Sequence, residues 1–282
     1  MMKTALLLVL TVGGSVLLGV GLERSARGRE FKWTDLSSKQ GDLPAPFPGK
    51  EQTASLVLDV DNDGVNDFVL TERTDAPSVV WYRRGKSGWT KYVIEAGPLH
   101  IEAGGAAEDI DGDGDLDIVF GGDYMSNQVW WWENPFIGNR EQGTGNSKNK
   151  ANPDDPFARP WKRHLVKNSG APKHHDEMFG DFDGDGKDEL IFWNQEAHGL
   201  FMAKIPDDPR HTEPWPITEI YAYSADSEPE QRGKPAAFKS VNEHEGLAKA
   251  DIDGDGKLDI LGKPYDWDVP RIDVWLNKGS DQ

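Results

Sequence analysis

Four nine-residue segments of this chain place acidic side chains at positions 1, 3, 5 and 9 around a glycine at position 6. Alternate carboxylates of so short a loop converge on one point, and the glycine permits the sharp turn between them. A shell of six to eight oxygens in irregular geometry suits Ca²⁺ better than Mg²⁺. The predicted calcium ligands are Asp59, Asp61, Asp63, Asp67, Asp109, Asp111, Asp113, Asp117, Asp181, Asp183, Asp185, Glu189, Asp251, Asp253, Asp255 and Asp259.

These four segments, called the acidic loops below, are not EF-hands. An EF-hand needs a bidentate glutamate at position 12 and a helix on each side. Position 12 is instead Leu70, Phe120, Phe192 or Gly262, and the flanking residues alternate or run apolar as strands do. Each acidic loop is therefore predicted to join two strands of a β-hairpin.

The net charge of −18 is mostly the charge of these loops. Without the sixteen predicted ligands, 33 acidic residues face 31 basic ones. A chain whose remaining charge is balanced has no basic surface for nucleic acid, so we predict no nucleic-acid partner.

The first residues favour export. Residues 1–26 carry Lys3 followed by an apolar run from about Thr4 to Leu22, the pattern of a signal peptide or, if uncleaved, an N-terminal membrane anchor. The chain has no cysteine, which excludes disulfides and a lipid-modified cysteine. We predict a secreted, periplasmic or cell-surface protein that contacts a membrane only through this segment.

Residues 27–282 contain four repeats aligned on the acidic loops. Each loop is preceded by one short strand and followed by two or three, which predicts an all-β fold, a β-propeller of four four-stranded repeats. The last repeat lacks a fourth strand, and Phe31–Leu36 is predicted to supply it and close the ring. The alternative is a fragment of a larger propeller. Residues 134–160 are predicted to be a surface insertion.

The sequence resembles the FG-GAP/VCBS repeat family. The resemblance rests on the Asp-x-Asp-Gly-Asp-Gly-x-x-Asp loops, on Leu116-Asp-Ile-Val-Phe-Gly-Gly122 and on Val129-Trp-Trp-Trp-Glu-Asn134, and it covers about residues 31–280. It implies a calcium-binding β-propeller of a secreted or cell-surface protein. The family includes adhesins and polysaccharide lyases, so the resemblance leaves function open.

Chemistry is predicted on the propeller face opposite the acidic loops, where connections between blades enter each first strand. Five of the seven histidines fall there: His100, His174, His175, His198 and His244. The candidate catalytic residues are His174, His244, Glu102, His100 and His175. One hypothesis is a zinc site, and another is metal-free acid–base chemistry with Arg73 or Lys263 steadying an anionic sugar. The third is a polar funnel without catalysis.

These observations predict a calcium-stabilised module that binds a glycan or an extracellular protein. The alternative is a carbohydrate-active enzyme of lyase or dehydratase type. Tyr124, Tyr265 and Trp267 are the predicted sugar-stacking residues, whereas Trp130–Trp132 are predicted to be core. His164 and His211 are predicted to lie at the surface.

Overall fold

The computed structural model describes residues 31–136, 155–222, 244–264 and 272–279. Contacts divide the chain into two units, residues 1–35 and residues 36–282. The described part of the first unit, residues 31–35, is exposed and forms no strand. All the strands of the described residues lie in the second unit, where they form four antiparallel sheets arranged as a four-bladed β-propeller.

The blades follow the repeats of the sequence. Blades one to three have four strands in chain order, and the described part of blade four has three. Blade one is β1 (Gln52–Leu58), β2 (Asp67–Glu72), β3 (Val79–Gly85) and β4 (Gly88–Glu95); blade two is β5 (Ala106–Glu108), β6 (Asp117–Gly121), β7 (Val129–Glu133) and β8 (Lys162–Lys167); blade three is β9 (His174–Gly180), β10 (Glu189–Asn194), β11 (Gly199–Lys204) and β12 (Ile217–Ala222); blade four is β13 (His244–Ala250), β14 (Asp259–Pro264) and β15 (Asp273–Trp275).

Three apolar clusters hold consecutive blades together. The first joins blades one and two through side chains such as Trp81 and Trp132, the second joins blades two and three through Trp131, and the third joins blades three and four through Trp193. Trp130–Trp132 are all buried, as predicted. Blades two and three are each covered on both faces by neighbouring blades. Consecutive residues of their inner strands are therefore apolar, instead of alternating with polar ones.

Asparagines reinforce two of these junctions. The Asn134 amide, just after β7, donates to Val60 O in the acidic loop of blade one and to Leu116 O in its own blade, each at 2.9 Å. Asn277 repeats this arrangement in blade four, with Phe182 O and Leu258 O as acceptors. Each amide thus ties its blade to the loop of the blade before it.

Several predictions about the ends and connections are corrected or lie outside the described residues. The prediction that Phe31–Leu36 adds a strand to blade four is wrong, because these residues are exposed and do not form a strand. The predicted signal or anchor, residues 1–26, lies outside the described residues. The insertion does fall between β7 and β8, and its described end contains one 3-10 turn, Pro156–Ala158. Within the described ranges, no helix has the length and apolar character needed to cross a membrane.

The acidic loops and the opposite rim

The structure brings three carboxylates of each acidic loop together. In every loop three ligand-type oxygens, one per residue, lie within 4.8 Å of one another. The four groups are Asp59, Asp61 and Asp63; Asp109, Asp111 and Asp113; Asp181, Asp183 and Glu189; and Asp251, Asp253 and Asp255. Positions 1, 3 and 5 therefore converge as the spacing predicts in three loops, whereas in the third loop position 9 replaces position 5.

The ninth residue folds the loop back onto its blade. The Asp117 carboxylate accepts the Asn134 N–H at 2.7 Å and the Ile110 N–H at 3.2 Å, and Asp259 accepts from Asn277 and Ile252 in the same way. Asp67 accepts the Arg84 N–H and the Trp81 Nε1–H. These bonds give the acid at position 9 a structural role in the three loops where it is not one of the three converging carboxylates.

The donor set of these loops fits a hard cation. Buried oxygens of Asp61 (Oδ1), Asp109 (Oδ1) and Glu189 (Oε1) have no hydrogen-bond partner among the described residues. Burial, reinforced by neighbouring carboxylates, raises the pKa of Asp115 to about 8 and that of Asp117 to about 9. So many buried, mutually repelling carboxylates cost free energy unless a cation compensates them.

Basic side chains lie beside every acidic loop. Arg83 pairs with Asp61 and Asp63, and Lys204 pairs with Asp183 and Asp185. Both bases lie on the third strand of their blade: Lys204 is directly across the sheet from Glu189 at position 9, and Arg83 follows Tyr82, which pairs with Phe68. In loops two and four the basic partner comes from elsewhere in the chain. Arg210 pairs with Asp111 and Asp113, and Lys278 pairs with Asp253.

The sequence reasoning missed two members of these sites. Asp115, at position 7 of the second loop, is buried, and neither of its carboxylate oxygens has a hydrogen-bond partner among the described residues. Arg210 reaches Asp111, Asp113 and Glu133 from the β11–β12 connection of blade three. The fifth acid of Asp109–Asp117 was a visible signal for the first, but no local pattern points to the second.

The rim is the opposite end of the propeller, where each first strand begins. The structure corrects the placement of His174 and His244 in connections, since they are the first residues of β9 and β13. β9 and β13 each contain a bulge, and strand pairing continues on its N-terminal side, where the sequence is no longer apolar. His174 therefore pairs with Asn194, and His244 pairs with Pro264. Both histidines are fully buried.

The two histidines have structural surroundings. His174 Nδ1 donates to Gly122 O at 3.1 Å, and its Nε2 lies 3.2 Å from Asn194 Nδ2, which can donate to it. Burial lowers the pKa of His174 to about 3. His244 packs against both Trp193 and Trp275, and its Nε2 lies 2.6 Å from Asp273 Oδ2.

The predicted zinc group does not assemble among the described residues. No three histidine or carboxylate ligand atoms of the described rim converge as those of the acidic loops do. Instead, the His174 ring contacts Gly122 and Asn194, whereas the His244 ring contacts Trp193, Trp275 and Asp273. Tyr265 and Trp267, two of the predicted sugar-stacking residues, lie outside the described residues.

Glu102, His100 and His175 do come together, in a network of charges across three blades. Glu102, which is buried, pairs with Arg73 of blade one, and its Oε2 lies 3.7 Å from His175 Nε2 of blade three. Arg73 Nε and His100 Nδ1 lie 3.7 and 3.5 Å from Asp123 Oδ2. Burial, with Lys173 and Arg73 nearby, lowers the pKa of His175 to about 4, so this ring is neutral at pH 7.

Glu177 is the least compensated carboxyl group of this region. It lies on β9 behind Gly104 and Gly121, is almost fully buried, and neither of its carboxylate oxygens has a hydrogen-bond partner among the described residues. Burial, with the charges of Asp176 and Glu102, raises its pKa to about 8. Glu177 is therefore mainly protonated at neutral pH, as a buried carboxyl without a partner must be.

An open cleft of about 480 Å³ lies beside this network, on the β6–β7 loop of blade two. Its lining residues are Tyr124, Met125, Ser126, Asn127, Gln128, Gly170 and Pro172. The Tyr124 side chain is 58% exposed, as the prediction of a stacking residue requires. The polar residues that follow Tyr124 were not predicted, although a run of serine, asparagine and glutamine after an exposed aromatic residue was available in the sequence.

The two histidines predicted to lie at the surface, His164 and His211, differ in their exposure. His211 is exposed, as predicted. His164 is buried, contrary to the prediction, because its ring stacks on Trp131 at 4.3 Å and bonds Glu133 and Glu213. The connection after β11 covers the fourth strand of blade two and removes this histidine from solvent.

No protein-family model matches this chain, and a search of curated proteins finds no significant match. The assignment of function therefore rests on the residues described above.

Proposed function

We propose that this chain is an exported, calcium-stabilised β-propeller that binds a glycan in the cleft beside Tyr124. The observation that carries the proposal is the pairing of an exposed aromatic ring with a polar wall in one open cleft. The resemblance to FG-GAP/VCBS repeats is consistent with the calcium part of the proposal. Calcium is assigned a structural role in the acidic loops, far along each blade from the cleft.

The loop that bears the cleft is held rigidly, which favours binding. Asp123 is buried and its carboxylate accepts the Met125 N–H at 2.7 Å, while its carbonyl accepts the N–H groups of Ser126 and Lys173. The Lys167 ammonium group donates to Asn127 O and Ala171 O, both at 2.9 Å, and so fixes the two sides of the cleft. A preformed site spends little conformational entropy when its ligand binds.

The chemistry of the cleft suits a saccharide. A sugar ring offers an apolar C–H face that packs on an aromatic ring, and hydroxyl groups that both donate and accept hydrogen bonds. Tyr124 and Met125 provide the exposed apolar surface, and Asn127 and Gln128 bring amide side chains.

A glycan array followed by titration calorimetry in calcium tests the proposal. We expect an oligosaccharide to bind and Tyr124→Ala to weaken its binding about tenfold or more, since loss of a stacking contact removes more than 1 kcal/mol. Trp33→Ala is the matched control, because Trp33 is another exposed aromatic residue and lies outside the cleft. Equal losses in both variants, or no binding to any glycan tested, would contradict the proposal.

The rim network is a weaker basis for the alternative, a carbohydrate-active enzyme. His174 and His175 are neutral with lowered pKa values and are therefore poor bases at pH 7. Arg73, the candidate charge stabiliser, is already paired with Glu102. Release of unsaturated sugar products from an acidic polysaccharide, abolished by Glu102→Gln, would favour the enzyme over the binding module.

A further inference from the structure

The forward face of a blade, meaning the face turned toward the next blade in sequence, is built from equivalent residues in all four blades. One comes from position 2 of the acidic loop, one from the third residue of the second strand, and one from the third strand opposite it. The sets are Val60, Val69 and Trp81; Ile110, Val119 and Trp131; Phe182, Ile191 and Met202; and Ile252, Leu261 and Val274.

The first three sets are covered by the following blade. Their members belong to the first, second and third apolar clusters, respectively. The fourth set is not covered: Ile252 is 47% exposed, Leu261 37% and Val274 43%. Within the described ranges, no apolar cluster joins blade four to blade one.

The corresponding end of the propeller at blade one is already capped. On its outward face Val80 and Tyr82 are almost completely buried, although no described blade packs there. The Tyr82 hydroxyl donates to Pro44 O at 2.7 Å, and Lys91 Nζ donates to Ala45 O at 2.6 Å and to Pro46 O at 3.0 Å. The chain segment that precedes β1 thus occupies the position of a preceding blade.

A chain with one capped end and one open face can cover that face with the same face of another chain. We propose that the forward face of blade four binds the forward face of blade four in a second copy, which gives a two-fold dimer. Ile272 and Leu276, also exposed, extend the apolar surface beside Val274. A patch of this kind, on the order of 400 Å², has the size that marks interaction sites on soluble proteins.

Charge selects the orientation of the two copies. The acidic loop Asp251–Asp259 lies at one end of β14, and the exposed Lys263 lies near the other end of the same strand. Parallel stacking would set two acidic loops side by side, where they repel. Antiparallel stacking brings Lys263 toward the acidic loop of the second copy, so we infer an antiparallel arrangement.

Sedimentation velocity of the full chain in calcium tests the dimer. The measurement should run from about 1 to about 200 µM, because a patch smaller than the ~800 Å² per partner of a standard interface implies micromolar dissociation. We expect a concentration-dependent dimer whose dissociation constant rises at least tenfold in Leu261→Asp and in Val274→Asp. Circular dichroism and urea unfolding of each variant verify that it is folded.

Val57→Asp is the matched control. Val57 is an exposed valine on β1 at the outward side of blade one, so a charge there leaves a blade-four dimer intact but disrupts a head-to-tail contact between blades four and one. A monomer at every concentration would overturn the proposal. So would a dimer that tolerates both blade-four substitutions, or one that Val57→Asp dissociates.

Lys263→Glu tests the orientation separately. It is expected to weaken the dimer, and more strongly at low than at high ionic strength, because it places like charges together. An unchanged or tighter dimer would overturn the antiparallel arrangement.

Discussion

Asn134→Ala measures how strongly a single amide ties two blades together. The buried side chain donates to Val60 O and Leu116 O, both at 2.9 Å, and accepts the Phe136 N–H at 3.1 Å. Truncation leaves two carbonyls and one N–H without this partner in a region that water does not reach. At about 1 kcal/mol for each bond, the free energy of unfolding should fall by about 2–4 kcal/mol.

Asn277→Ala is the matched variant, since Asn277 makes the same three types of bond in blade four. Asn277 is only half-buried, so water can replace its bonds and the loss should be about 1 kcal/mol. Urea unfolding of the wild-type chain and both variants, followed by tryptophan fluorescence, gives the two differences. The reasoning is refuted if Asn277→Ala costs as much as Asn134→Ala, or if Asn134→Ala costs less than about 1 kcal/mol.

Three further predictions concern calcium, packing and pH. Chelation of calcium with EDTA should lower Tm in scanning calorimetry, because repulsion within each acidic loop then opposes its turn, and Asp253→Asn should reproduce part of the effect; an equal Tm with and without EDTA would count against structural calcium. Gly121→Ala should cost about 1–3 kcal/mol in urea unfolding, because a Cβ there would overlap Glu177 and His174, whereas Gly85→Ala, whose Cβ would meet only Gly88 O at 3.4 Å, should cost less than 1 kcal/mol. Burial lowers the pKa of His174 to about 3, so as pH falls this histidine is protonated in the unfolded chain before it is protonated in the folded one. The free energy of unfolding should therefore decrease from about pH 6.5 toward pH 3. His174→Gln should make this pH dependence weaker. An identical pH slope in both proteins would show that His174 does not contribute.

Local periodicity was enough to predict most of the fold. The four acidic loops fix where each hairpin turns, and the second strand of every blade begins at position 9 of its loop. Prediction was poorer where a strand continues beyond its apolar pattern. β9 begins at His174 because of backbone pairing across a bulge, and neither hydrogen bonds nor bulges leave a clear mark in the sequence.

Long-range packing accounts for the remaining differences. His164 reads as an exposed position of an outer strand, yet a connection from blade three covers it. Arg210 joins the second acidic loop from a segment almost one hundred residues away. Phe31–Leu36 has the alternating pattern of a strand but forms none. An alternating pattern is not sufficient, because a strand also needs the free edge of a sheet to pair with.

The clusters between blades also order the folding of the chain. Each one is made by two blades that are neighbours in sequence, so every junction can form as soon as the second of its blades has been synthesised. Within a single chain, the described clusters hold blade two on both sides and blade four on one side. Local opening should therefore begin at β13–β15 and travel backward through the chain, with the amides of β6 and β7 the last to exchange with solvent.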